Sequence, residues 1–178
     1  VTDLGFEQFE CGYTIGSWSG FAEIGTQIFW AGYDGTDGSN GLWTHDTANG
    51  STWQVTEMDV HCSGEDLLAV GTRLYFTSDN SSLYVHETIN GSTWQIANFG
   101  ETSPRSSGLS LIDSQIYFFA GSQLWIYQIS SDSILERIDF ISRSPESGIY
   151  AIGDSIYFEG YDSDFGWELY MMEIEHTI

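Results

Sequence analysis

Leu67-Leu68-Ala69-Val70-Gly71, followed at once by Leu74-Tyr75-Phe76, is the stretch on which the fold turns. A short apolar piece ends in a glycine turn, and the chain returns as one aliphatic residue followed by two aromatics. The pattern occurs four times. Phe21-Ala22-Glu23-Ile24-Gly25 precedes Ile28-Phe29-Trp30, Leu109-Ser110-Leu111-Ile112-Asp113 precedes Ile116-Tyr117-Phe118, and Ile149-Tyr150-Ala151-Ile152-Gly153 precedes Ile156-Tyr157-Phe158. The triplets begin 46, 42 and 40 residues apart. A second marker follows each: Leu42-Trp43, Leu83-Tyr84, Leu124-Trp125 and Leu169-Tyr170 come 14, 9, 8 and 13 residues later. The segment between the markers is a loop of variable length, and such variation belongs at a surface.

After the first two second markers comes Asn-Gly-Ser-Thr-Trp-Gln, at Asn49 to Gln54 and Asn90 to Gln95. Asn-Gly between β-rich runs predicts a type I′ hairpin turn. No long segment keeps an apolar spacing of three and four, and Gly, Ser, Thr and Asn interrupt the chain at short intervals. The chain is therefore read as all-β. The triplets place Phe29, Tyr75, Tyr117 and Tyr157 on the face opposite Ile28, Leu74, Ile116 and Ile156, so both faces of each central strand are apolar. A sandwich would leave one face polar. Four-stranded blades stacked in a propeller bury both.

The expected fold is a four-bladed β-propeller occupying residues 1–178 as a single domain, with repeats at 21–60, 67–99, 109–140 and 149–178. The last repeat stops after its third strand. Val1-Thr2-Asp3-Leu4-Gly5-Phe6 lines up with Val55-Thr56-Glu57-Met58-Asp59-Val60, read as the fourth strand of the first repeat. Residues 1–6 are thus the candidate closing strand, completing the last blade of the same chain or of a neighbour.

Ile156-Tyr157-Phe158-Glu159-Gly160-Tyr161-Asp162 with Gly166-Trp167-Glu168-Leu169-Tyr170 resembles the secreted repeat named for Glu-Leu-Trp-x-x-Asp-Gly-Thr, found in surface proteins of marine bacteria and archaea. Leu42-Trp43-Thr44-His45-Asp46-Thr47 is similar to its second half, with Thr47 where that repeat has Gly. Gly121-Ser122-Gln123-Leu124-Trp125 departs from it, lacking the acidic loop and the Glu. The resemblance implies a β-propeller surface module with no shared catalytic residues.

Charge narrows the partners. Against 26 Asp and Glu stand four Arg and no Lys, a formal charge of -22. That excludes phosphate-backbone recognition of nucleic acid and opposes an anionic membrane surface. No apolar run is long enough to span a bilayer. The chain opens at Val1, and with this composition it is read as a processed, extracellular protein, with an engineered or trimmed chain as the alternative.

Two loops gather oxygen donors that could serve Ca²⁺: Asp34, Asp37 and Asn40 in one, Asp162 and Asp164 in the other. Solvated turns with local backbone bonds are the alternative, and no cofactor is required. Cys11 and Cys62 form a candidate disulfide, with two buried thiols as the alternative. Asn49, Asn80 and Asn90 each begin an Asn-x-Ser sequon, open to N-glycosylation in an exported chain; two of them already serve the expected hairpins. His45 and His86 stand where Tyr127 and Met172 stand in later repeats, which marks a packing slot.

No nucleophile motif accompanies these histidines, and the acids are scattered, so the chain is read as non-enzymatic. Most tryptophans fall at matched positions and are assigned to packing between blades. Trp18 and Trp167 lie off them and are the candidate sugar-stacking residues. The function expected is a structural or interaction module that self-associates or binds other surface proteins in a layer or filament; the rivals are a glycan-binding module and, behind it, a polysaccharide-acting enzyme.

Overall fold

A computed structural model describes residues 20–33, 40–58, 60, 67–78, 82–99, 106–120, 123–139 and 149–174. They form four antiparallel sheets in chain order. Sheet 1 comprises β1 (Phe21–Ile24), β2 (Gln27–Tyr33), β3 (Asn40–Asp46) and β4 (Ser51–Thr56). Sheet 2 comprises β5 (Leu67–Val70), β6 (Arg73–Ser78), β7 (Ser82–Glu87) and β8 (Ser92–Asn98). Sheet 3 comprises β9 (Ser106–Ile112), β10 (Gln115–Ala120), β11 (Gln123–Gln128) and β12 (Ser133–Asp139). Sheet 4 has three strands, β13 (Tyr150–Ile152), β14 (Ser155–Asp162) and β15 (Gly166–Glu173). In each sheet the strands pair in simple sequence order, so every connection inside a sheet is a hairpin.

The repeat seen in the sequence is a repeat of register. Each aliphatic-aromatic triplet lies on the second strand, and its first residue pairs with a matched residue of the third: Ile28 with His45, Leu74 with His86, Ile116 with Tyr127 and Ile156 with Met172. The first hairpin of every sheet is a two-residue turn whose first residue has positive φ: Gly25 (63°), Gly71 (62°), Asp113 (55°) and Gly153 (60°). An L-residue is disfavoured there, which is why three of the four are glycine. The second residue of that turn accepts a backbone hydrogen bond from the residue just beyond the third strand. The four bonds are Thr47 N–H to Thr26 O (2.8 Å), Thr88 to Thr72 (3.0 Å), Ile129 to Ser114 (3.1 Å) and Ile174 to Asp154 (2.8 Å). One clamp closes all four sheets.

Two expectations are corrected. The Asn-Gly hairpins are not type I′ turns. They are four-residue loops, closed by Gly50 N–H to Asp46 O (2.8 Å) and Gly91 N–H to Glu87 O (2.9 Å), with positive φ at the glycine but not at Asn49 or Asn90. Asp46 dictates this by drawing in Ala48 N–H (2.9 Å) and the Asn49 side-chain amide (2.8 Å). The segment 55–60 is also not one strand, since only Val55 and Thr56 belong to β4. β4 ends at Thr56, and the chain then leaves sheet 1 so that Val60 bridges Ser78 on β6. The likeness of residues 1–6 to residues 55–60 therefore matches mostly a blade exit. Residues 1–6 themselves lie outside the described residues.

Adjacent sheets stack face to face through three apolar layers. Phe29, Ala31 and Leu42 of sheet 1 meet Leu74, Phe76 and Tyr84 of sheet 2. Tyr75, Leu83 and Val85 of sheet 2 meet Ile116, Phe118 and Tyr127 of sheet 3. Tyr117, Phe119, Leu124 and Ile126 of sheet 3 meet Ile156 and Phe158 of sheet 4. Aromatic rings bridge the layers edge-on or tilted, Tyr75 to Tyr127 at 5.9 Å and Phe119 to Phe158 at 5.1 Å, an arrangement the ring quadrupole favours. Trp94 and Trp125 pack on the middle layer as expected. Trp53 does not share this role; it is exposed near the edge of sheet 1.

Thr44 occupies the register position of Val85 and Ile126, and its buried hydroxyl has no hydrogen-bond partner among the described residues. Removing a buried, unsatisfied hydroxyl while keeping the shape should help. Thr44→Val is expected to raise unfolding stability by about 1 kcal/mol in a urea titration. Gly71→Ala should cost about 1 kcal/mol, because nothing crowds a Cβ there and the penalty is conformational alone.

Candidate interaction surface

The three apolar layers use the forward face of each sheet, the side that looks toward the next sheet along the chain, against the backward face of that next sheet. Sheet 4 has a forward face and no described sheet beyond it. Its register makes the consequence plain. Leu169 on β15 pairs with Glu159, the position held by Leu42, Leu83 and Leu124 in the earlier sheets. Those three are 0% exposed and Leu169 is 76% exposed. Met171 matches Val85 in register, and their exposures are 55% and 1%. Tyr150 (61%) and Ile152 (67%) on β13, with Trp167 (44%) on β15, extend the same open face. Glu159 and Glu173 share it, opposite Leu169 and Ser155.

The edge of the same sheet is open too. In sheets 1 to 3 the third strand is flanked by a fourth, β4, β8 or β12, whereas β15 ends its sheet among the described residues. At the loop end of the face, Trp167 and Tyr161 form a cross-strand pair, ring centroids 5.5 Å apart and nearly perpendicular. The turn Ser163–Phe165 joins β14 to β15, with Phe165 exposed and Gly166 at positive φ (87°).

The residues singled out from sequence distribute unevenly over this frame. Of the candidate Ca²⁺ donors, Asp34 and Asp37 lie outside the described residues. Asn40 begins β3, Asp162 ends β14 opposite Gly166, and Asp164 is exposed in the turn that follows. Cys11, Cys62, Asn80 and Trp18 also lie outside the described residues. Asn49 and Asn90 sit on exposed hairpin loops at the far end of their sheets. Their side-chain oxygens accept from Ser51 N–H (2.8 Å) and Ser92 N–H (2.9 Å). Trp167 alone among the sugar-stacking candidates is both described and exposed. The four residues that sequence reasoning missed as surface are Tyr150, Ile152, Leu169 and Met171. The repeat pattern marks all four as core, and only their place in the last sheet could have marked them otherwise.

The two histidines occupy a packing slot. His45 Nδ1 lies 2.8 Å from Thr52 Oγ1 and His86 Nδ1 lies 2.8 Å from Thr93 Oγ1, the same cross-strand pair in sheets 1 and 2. His86 is buried against Phe29, with ring centroids 6.0 Å apart. Burial holds its pKa below the ordinary 6.5, and the charge of Glu87 works weakly the other way. In sheet 3 the slot holds Tyr127, whose phenol is pushed well up by burial and by donation to Asp132. Asp46 and Glu87 are held below the usual carboxylate range, chiefly by hydrogen bonds from the Thr26 and Thr72 side chains. Among the described residues, no three His, Cys, Asp or Glu side chains gather as a metal site.

No family model and no curated protein matches the chain. Solved structures do. The chain is similar to BamB from Moraxella catarrhalis at 14% identity and a TM-score of 0.62, covering 88% of this chain and 43% of that one. It is similar to the computationally designed Ika8 protein at 11% identity and 0.60, covering 86% and 45%. The N-terminal domain of Nup159 matches at 13% identity and 0.58, covering 88% and 44%. BamB and the Nup159 domain are β-propellers. The fold is therefore all-β and propeller-like, built of stacked antiparallel sheets, and the chain spans less than half the length of the solved structures it matches.

The depressed pKa of His86 sets a pH dependence. The unfolded chain binds a proton here at a pH where the folded chain does not, so this contribution to stability is complete above 6.5 and is lost as pH falls below it. Asp46 and Glu87 also lose stability on acidification, in a lower window, below the ordinary carboxylate values. His86→Met, which installs the residue of the matched Met172 position, should flatten the thermal-stability profile between pH 7 and 5 and leave the lower window in place.

Proposed function

We propose that this chain is a non-enzymatic extracellular interaction module of the secreted propeller-repeat type, acting by self-association at a cell surface or in a filament. The observation that carries the reading is the forward face of sheet 4. It has the residues of a buried interface and is open to solvent. That sheet has three strands among the described residues, and the outer edge of β15 supports the same reading as the place for a fourth. Residues 1–6, of the same or a neighbouring chain, are the proposed source. Of the two closures that a four-blade repeat count allows, within one chain or between chains, the open face favours closure between chains.

Charge shapes this association. At -22, like copies repel at low ionic strength, so NaCl should strengthen binding by screening, and Ca²⁺ should act at lower concentration by bridging carboxylates. Light scattering after size exclusion tests the reading. Particles larger than the 19.9 kDa chain, growing in proportion with added salt, are expected. A monomer at every concentration and salt level would overturn it.

A second reading has its own observation. Trp167 and Tyr161 present two rings nearly at right angles at the loop end of sheet 4, a shape suited to a pyranose face. On a glycan array, sugar binding that disappears in Trp167→Ala would favour a carbohydrate-binding module over self-association.

A further inference from the structure

Resting on the self-association reading, we infer that two copies of this chain close one ring, the forward face of sheet 4 in each copy covered by the backward face of sheet 1 in the other. The backward face of sheet 1 is open at the positions its equivalents bury. Ile28 is half-buried, whereas Leu74, Ile116 and Ile156 at the same register position, each turned to the preceding sheet, are 0% exposed. Phe21, opposite Trp30, holds the place of Leu67 opposite Phe76; Leu67 packs into the layer between sheets 1 and 2, and Phe21 is 63% exposed. His45 is half-buried where His86 and Tyr127 are sealed. Trp30, 3% exposed and 6.5 Å from Phe21 between ring centroids, is already covered. The stack thus ends in one open face of each kind.

The polarity of the stack selects the occupant. All three layers join a forward face to a backward face, and none joins two faces of one kind. Copies therefore fit head to tail. A head-to-tail contact is heterologous, and it closes into a ring only when the arc of each copy divides a full turn. The curvature of the stack supplies that arc. Because 88% of the chain superposes on 43% of BamB and 44% of the Nup159 domain, the four sheets turn from one to the next as about half of a propeller does. On such an arc sheet 4 does not return to sheet 1 of its own chain, and a second copy completes the turn with two identical contacts.

Charge gives the contact a signature. Glu23 lies on the sheet 1 face, opposite Ile28, and Glu159 and Glu173 lie on the sheet 4 face. The contact brings the two carboxylate sets together, so it should tighten as NaCl rises to about 0.5 M, where the Debye length is only a few ångströms. A basic partner on either face would show the opposite salt response.

The experiment is sedimentation equilibrium on the full chain at low and high NaCl, beside Leu169→Glu, Phe21→Glu and an equimolar mixture of the two variants. The expected result is a species of twice 19.9 kDa that grows no further with concentration. Each variant should weaken it by at least about tenfold, because a carboxylate enters an apolar layer. Circular dichroism of both should match the wild type, since Leu169 and Phe21 are exposed in the monomer. The mixture should associate more tightly than either variant alone, because a mixed pair keeps one contact free of both substitutions. Association weakened by Leu169→Glu but untouched by Phe21→Glu, with no rescue in the mixture, would overturn this inference and leave the self-association reading standing. Polymers that grow without limit and yield to both variants would overturn the closed ring and leave that reading standing as well. A wild-type chain that stays at 19.9 kDa throughout would overturn both.

Discussion

The structure depends on one constraint: the second strand of each sheet carries apolar residues on both faces and needs neighbouring sheets to bury them. A sheet of three or four short strands has too little apolar contact to be stable by itself. In β6 the faces are divided cleanly, with Leu74 and Phe76 toward sheet 1 and Tyr75 toward sheet 3. Each such side chain contributes about 1.5 to 3 kcal/mol when fully removed from water, and each layer is shared by two sheets. Stability is thus a property of neighbouring pairs of repeats, as in other stacked-repeat proteins.

That constraint explains where the repeat tolerates change and where it does not. The tight turns keep a residue at positive φ in all four sheets, and the clamp from the third strand back to that turn recurs with donor-acceptor distances near 3 Å. Both are backbone requirements and admit few side chains. The slot facing the triplet's first residue, in contrast, holds His45, His86, Tyr127 or Met172. It asks for a shape and a means of satisfying a polar atom, which Thr52, Thr93 and Asp132 supply to the first three. A stack built this way has interior sheets that are chemically committed and end sheets that are not. The last sheet carries the apolar residues of an interior sheet on a face with nothing described against it.

Much of this was legible in the residues. The apolar run ending in Gly or Asp and returning as an aliphatic residue with two aromatics correctly located the first two strands of every sheet, because both the turn and the two-sided burial leave strict local marks. The Asn-Gly dipeptide by itself favours a two-residue turn, whereas Asp46 and Glu87, further back in the chain, close a longer loop. Residues 55–60 read as the fourth strand of the first repeat from their place in it, yet the strand ends at Thr56. Val60 is indeed buried, but in the layer between sheets 1 and 2, and burial by another sheet looks the same in sequence as burial within a strand.

The sequence by itself determined the all-β class, the period of the repeat, the positions of its tight turns and the pairing of its markers, since each depends on interactions a few residues apart. Only the tertiary structure decided which faces meet. Leu42, Leu83, Leu124 and Leu169 are equivalent in sequence and in register, and three are sealed while the fourth stands in solvent. The difference lies in whether another sheet lies against them, a contact between residues distant in the chain that no local pattern encodes.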